Sequence, residues 1–345
     1  VLAHFRLTTP PDLTDAVVAA VVEHECTTNV TLQRGVGLDP QGDLVECDVA
    51  REKAGEVLGR LSDLGLDERG GIVITTPTGT PFTRADELDH LAPGHPDDAV
   101  IWESVEATAA AGAVPTLSFH VFLVIAVALA AIAVITDSAV LVVGAMVVGP
   151  EFSAVAAVSA GIVLARGRLV WRGLRLIVLS FALAIAVVTV LALLARLGGL
   201  VTAEDVTRAR PSTGFIWHPD AWSFIVALLA GAAGALALAI EKTATMVGVF
   251  ISVTTVPAAG NLALGLATWE TGEIAGSLEQ LGLNLVGMVV AGALTLLLVR
   301  VAWPGLSARS EVLFGLRHEQ PHALRPGEGS GRSGTSGDQS RGAAR

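Results

Sequence analysis

Over the first 77 residues the apolar positions alternate, then recur every three to four residues, and then repeat both patterns. Ala3, Phe5 and Leu7 alternate with His4, Arg6 and Thr8, the period of a half-buried strand. Leu13, Val17, Ala20 and Val21 follow at helical spacing, with Asp12 or Thr14 as the expected N-cap. Val30 and Leu32, then Val45, Cys47 and Val49, predict two strands joined through the turn-rich stretch 37–42. Ala54, Val57, Leu58, Leu61 and Leu64 predict a second helix, and residues 72–74 a fourth strand. The order βαββαβ predicts a small α+β ferredoxin-like domain over residues 1–77.

Residues 78–114, punctuated by Pro81, Pro93, Gly94 and Pro96, are expected to be a linker ending in a short amphipathic helix over 99–111. After it the pattern changes to long apolar runs. A transmembrane helix needs about 20 apolar residues, and six windows meet this: 116–135, 138–165, 173–197, 221–240, 243–268 and 278–302. The membrane domain is therefore set at 115–303. Thr136 with Asp137, and Glu241 with Lys242, leave almost no loop, so the spans they join are expected to be hairpins; these charges read as solvated turn residues.

The second and fifth windows are long, and each holds a proline near its middle, Pro150 and Pro257. Proline removes one amide donor and frees the carbonyl four residues earlier, here those of Met146 and Val253. At membrane depth such groups need protein or a water-filled cavity to receive them. Laying the two prolines over one another, 107 positions apart, superposes three spans on the next three. An odd number of spans per copy predicts a 3+3 inverted repeat with broken second and fifth helices. The expected fold is thus an α-helical polytopic membrane domain of six spans behind a small α+β domain.

Composition agrees with this division. Apolar residues make up 52% and charged residues 16% of the chain, against roughly a quarter charged in ordinary globular domains, and the mean hydropathy is +0.62. The formal charge of -11 comes from acids gathered in the N-terminal part, and no basic patch with interleaved aromatics occurs, so no nucleic-acid partner is expected. His4 and Arg6 interrupt the opening, where no secretory signal is expected. Arg166, Arg168, Arg172, Arg175, Arg300, Arg309 and Arg317 gather on one side of the spans, which predicts an inner-membrane protein with both termini cytoplasmic. Trp171, Trp217, Trp222, Trp269 and Trp303 are expected at the interfaces. Cys26 and Cys47 are expected to be reduced thiols. His90 and His95 read as linker histidines, and neither a metal site nor a cofactor is expected.

The candidate chemistry lies at the two breaks. Pro150 and Pro257 are expected each to open a half-helix whose amides face a shared centre, with Gly149, Glu151, Ser153, Thr254, Thr255 and Asn261 within about one turn. Glu151 is the sharpest candidate, because an ionisable group at depth costs several kcal/mol unless paired or hydrated; a dipole-capping role is its bland alternative. Asn284 is a further polar residue on the path, and His120 lies near an interface. Gly231, Gly234 and Ala235 form a small-residue face suited to close helix approach, first within one chain and secondarily to another copy in a homo-oligomer.

The segment TDSAVLVVGAMVVGPEFSAVAAVSAGIVLAR, with the later WSFIVALLAGAAGALALA and FISVTTVPAAGNLALGL, resembles an uncharacterised hydrophobic-domain membrane protein family, domain of unknown function 389. The resemblance covers residues 118–301, most specifically 144–150 and the VP segment at Pro257. Glu151 after Pro150 and Ala258 after Pro257 depart from the family's commoner pattern. The family implies a multi-span membrane protein and brings no substrate.

The function expected is a transporter or channel-like permease for a small solute or ion, working through paired half-helices at the midplane. A non-transporting membrane sensor or scaffold with a cytoplasmic regulatory domain is the alternative. No HExxH, nucleotide-binding glycine loop or triad spacing occurs in the membrane part, so no enzyme is expected. The partners expected are the lipid bilayer and the passenger. Residues 304–345, rich in Gly, Ser and Arg, are expected to be a disordered tail.

Overall fold

A computed structural model describes residues 2–92, 99–216, 220–242 and 254–314 of the chain. Its N-terminal unit is a four-stranded antiparallel sheet, β1 (Leu2–Thr9), β2 (Thr27–Leu38), β3 (Gln41–Ala50) and β4 (Gly71–Thr75), in the order β2-β3-β1-β4. Helices α1 (Thr14–Val22), α2 (Ala54–Asp63) and the short α3 (Leu66–Arg69) complete it. The alternation does what it predicts: Ala3, Phe5, Leu7, Val45, Cys47 and Val49 turn to one face and bury against Val17, Val21, Val57 and Leu61. The cap of α1 differs from expectation. Its N-cap is Leu13; Thr14 opens the helix and donates to Asp43 Oδ2 at 2.8 Å, while Asp12 pairs with Arg69 at 2.7 Å.

Both cysteines are free and buried. Burial pushes the Cys47 thiol up to about 12 and raises Cys26 as well. Because the thiolate is the nucleophile, neither should react with an aromatic disulfide reagent at neutral pH in the folded chain. Both should react once the sheet domain is unfolded, and titration with and without denaturant checks this.

The stretch read as a linker carries two helices. α4 (Thr83–Leu91) seals Leu2, Cys26 and Ala50 with Ala85 and Leu88. α5 (Trp102–Gly112) packs on the helical unit, so close to Ser153 that a Cβ on Gly112 would stand 3.0 Å from its carbonyl.

The helical unit comprises α6 (Leu117–Ile135), α7 (Ala139–Val148), α8 (Glu151–Val163), α9 (Gly167–Leu197), the short α10 (Ala203–Thr207), α11 (Ala221–Ala239), α12 (Thr255–Thr268) and α13 (Thr271–Phe314). Side-chain caps start three of the long helices: Thr116 accepts from the Phe119 amide, Ser138 from Leu141 and Asp220 from Ser223. Among the described residues four helices, α6, α9, α11 and α13 (as Thr271–Ala302), are long and apolar enough to cross a membrane, and α7 with α8, bent by 54°, makes a fifth span if counted as one. The first half of the remaining window, 243–253 with Val253, lies outside the described residues, as do Trp217, His95 and 315–345. The expected tail begins later than residue 304, because α13 continues to Phe314, 44 residues or about 66 Å in all. Trp171, Trp222 and Trp269 are strongly exposed at span ends.

Element bounds recur 104 positions apart, three fewer than the prolines. α6 (Leu117–Ile135) corresponds to α11 (Ala221–Ala239), Glu151 to Thr255 as first residues of α8 and α12, and Gly167 to Thr271 as those of α9 and α13. The turns keep the same register: Asp137 with Glu241, and Ala165 with Trp269, are all left-handed at φ 49, 57, 55 and 64°.

The expected solvated turn charge at Glu241 is instead a docking point. Its carboxylate accepts from Arg51 Nη2 at 2.8 Å and from the Ser104 hydroxyl, tying the sheet domain and α5 to the α11 turn. The Arg51 side chain is only 10% exposed. Glu241→Ala should therefore loosen this docking at a cost of no more than about 3 kcal/mol, read as faster amide exchange across residues 50–54 and α5, with Arg51→Gln giving the same pattern.

Candidate functional site at the paired helix breaks

The two breaks meet. Gly149 caps the C-terminal end of α7 and Pro150 is the N-cap of α8; Thr254 is the N-cap of α12, whose first turn holds Thr255 and buried Pro257. Thr255 Oγ1 donates to Glu151 Oε1 at 2.9 Å, and a Cβ built on Gly149 would lie 2.8 Å from Val256 Cγ2. Glu151 is 6% exposed, and its other oxygen, Oε2, is buried with no hydrogen-bond partner among the described residues. That oxygen occupies the space a side chain at Gly149 would need, so glycine at 149 is what lets the carboxylate sit at the break.

Thr254 Oγ1 accepts from Gln280 Nε2 at 2.9 Å and from Asn284 Nδ2 at 2.8 Å. Gln280 is fully buried and its Oε1 has no partner among the described residues. Both helix starts thus present an unmatched oxygen acceptor. Nearer the turn between α12 and α13, Arg210 Nη2 donates to Glu273 Oε1 at 2.7 Å and Arg210 Nη1 to Asn261 Oδ1 at 2.8 Å. Asn261 Nδ2 donates in turn to Glu273 Oε2 at 2.7 Å and Ser277 Oγ at 2.8 Å. The Arg210 and Glu273 side chains are 2% and 5% exposed.

Glu273, Ser277, Gln280 and Asn284 stand at i, i+4, i+7 and i+11 of α13, one stripe of the helix. At 1.5 Å per residue this stripe covers about 16 Å, roughly half a hydrocarbon core. The chain therefore builds a buried polar column from the α10 side of the bundle to the breaks. Among the described residues no group of three or more His, Cys, Asp and Glu is placed to hold a metal ion.

Of the residues singled out in the sequence, Gly149, Pro150, Glu151, Thr254, Thr255 and Pro257 come together, and Asn261 and Asn284 join the column. Ser153 does not. Its hydroxyl donates to the Pro150 carbonyl at 3.0 Å and to the Gly112 carbonyl at 3.3 Å, facing α5. Sequence reading missed Arg210, Glu273, Ser277 and Gln280. His120 is elsewhere, against Ser180 at 3.2 Å. The small-residue face of α11 serves contacts within the chain: Gly231 approaches the Met288 backbone and Gly234 the Phe152 ring too closely to admit a Cβ.

Comparison of the whole chain with curated proteins and with solved structures gave no match. The breaks and the column lie inside the stretch 146–290, which matches the family model described as Domain of unknown function (DUF389).

Proposed function

We propose that the helical unit is a transporter or channel-like permease for a small solute or ion, with the paired starts of α8 and α12 as its central site. The observation that carries this is Glu151: a carboxylate buried at a helix break, with one oxygen held by Thr255 and the other unmatched. Leaving a carboxyl oxygen so is expensive in an apolar setting, and an oxygen that no donor reaches suits a proton or a cation better than an anion. Gly149, Pro150, Thr254, Pro257, Asn261 and Asn284 frame the path in this reading, and the Arg210–Glu273–Asn261 cluster closes it on one side. The protein moves a passenger and transforms none.

An inverted repeat is part of the proposal. It is supported by the 104-residue recurrence and by exchanged contacts: Ser159 of α8 donates to the Val289 carbonyl of α13, and Thr189 of α9 to the Ala263 carbonyl of α12, the counterpart of Ser159. Glu151 and Thr255 are 104 positions apart, and in this reading their hydrogen bond lies at the pseudo-two-fold axis. The sheet order β2-β3-β1-β4 supports a ferredoxin-like reading of the N-terminal unit, set by the arginine bias on the cytoplasmic side of the inner membrane.

The test is flux across liposomes containing the full chain, with protons, sodium, potassium, chloride and phosphate as passengers. Transport above protein-free vesicles that falls in Glu151→Gln and Thr255→Val is the expected result. Flux unaffected by both variants overturns the central site. The absence of flux for every passenger favours the sensor or scaffold, a reading that the fully packed polar column and the Arg51–Glu241 docking contact also suit.

A further inference from the structure

A cavity of about 430 Å³ opens between α5, α6 and α9, at the end of the bundle that carries the sheet domain. Its walls are mostly apolar, with Val114, Pro115, Leu176 and Leu179 among them, and Arg172 and Arg175 stand at its rim. On α9 these positions share one helical face, Arg172, Arg175, Leu176, Leu179 and Ser180 at i, i+3, i+4, i+7 and i+8. At the inner end His120 Nδ1 donates to the Thr116 carbonyl at 2.8 Å, and Nε2 pairs with the Ser180 hydroxyl at 3.2 Å. Among the described residues no carboxylate lines the cavity.

Two nearby arginines are already engaged, Arg166 with Glu106 at 2.9 Å and Arg300 with the Val163 carbonyl at 2.8 Å. Arg172 and Arg175 have no hydrogen bond or ion pair among the described residues, and they repel one another as like charges at i, i+3. Beside them Trp171, Leu174 and Val178 are exposed on the flank of α9, which runs the mouth of the cavity into a lipid-facing surface.

We propose that this cavity binds an anionic membrane phospholipid, its phosphate between Arg172 and Arg175 and the start of an acyl chain along Leu176 and Leu179. Guanidinium groups match phosphate oxygens in geometry and charge, and the leucine wall would be wasted on inorganic phosphate. The site is separate from the helix breaks and does not rest on the transport reading.

Purified full chain in mild detergent is incubated with phosphatidylglycerol, phosphatidylcholine or inorganic phosphate, and bound lipid is counted by native mass spectrometry alongside thermal unfolding. Phosphatidylglycerol should be retained and should raise the unfolding temperature; the Arg172→Gln/Arg175→Gln variant should bind it about tenfold or more weakly, the scale of one lost charge-assisted hydrogen bond. The charge-matched control Arg34→Gln/Arg84→Gln should bind as the native chain does. Equal retention of phosphatidylcholine, equal binding by the Arg172/Arg175 variant, or the same stabilisation by inorganic phosphate alone would each overturn the proposal. If that variant fails to fold, competition between the two lipids on the native chain decides by itself.

Discussion

Glu273→Ala is expected to destabilise the folded chain by about 3–5 kcal/mol, because it leaves the Arg210 guanidinium buried without its counter-charge. Arg210 and Glu273 are 2.7 Å apart, both side chains are almost fully enclosed, and Asn261 makes one hydrogen bond to each. Their attraction is large only because water is excluded, and the same exclusion makes a lone partner costly. Removing both charges at once, as in Arg210→Met/Glu273→Leu, should therefore cost much less than removing one. Equilibrium unfolding of the native chain and these two variants in detergent reads this directly. A double variant as unstable as Glu273→Ala would mean that the cluster stabilises by shape and not by charge pairing.

The parts of this molecule governed by local periodicity were legible in the sequence. Alternation placed Ala3, Phe5 and Leu7 on the inner face of β1, and apolar run length placed α6 and α11 within a residue or two. The interrupting residues Gly149 and Pro150 located a real bend, since a proline cannot continue the helix. The column was half legible. Hydropathy set the start of the last window at residue 278, because Glu273 and Ser277 lower a running average, yet α13 begins at Thr271 and buries both. Their spacing with Gln280 and Asn284 is a helical signal that an average discards. Arg210 carried no local signal, because its partners lie 51 and 63 positions away.

The 104-residue recurrence of element bounds shows why proline is an imperfect ruler of it. Proline is tolerated at several places around a helix start, where its missing amide has no partner to lose. Pro150 sits at the N-cap of α8, whereas Pro257 is the third residue of α12. Left-handed turn residues are less free, since the chain must reverse at a fixed point after the last helical carbonyl. The amide of Ser138 returns to the Ala133 carbonyl and that of Lys242 to Ala237; Arg166 returns to Gly161 and Glu270 to Gly265. All keep the 104-residue spacing. The shorter register is the one that makes counterparts of the hydrogen-bonded pair Glu151 and Thr255.

Gly149→Ala separates function from stability at that pair. Gly149 has φ -68° and ψ 127°, backbone angles open to alanine, so the substitution carries no conformational penalty. Its methyl group would overlap Glu151 Oε2 and crowd Val256 Cγ2, and of these the carboxylate is the end of a flexible side chain. The expected response is rotation of Glu151 away from Thr255, with stability lowered by no more than about 1–3 kcal/mol, the usual range for one added methyl in a packed site. If the carboxylate at the break is what a passenger meets, flux should fall by about tenfold or more, the scale of one charged hydrogen bond at the barrier. Gly149→Ala/Glu151→Gln should then be no slower than Glu151→Gln alone, because both changes act through one group. Additive losses, or a Gly149→Ala chain that unfolds early while its flux per folded molecule is unchanged, would instead make Gly149 a packing residue of the α7–α8 bend.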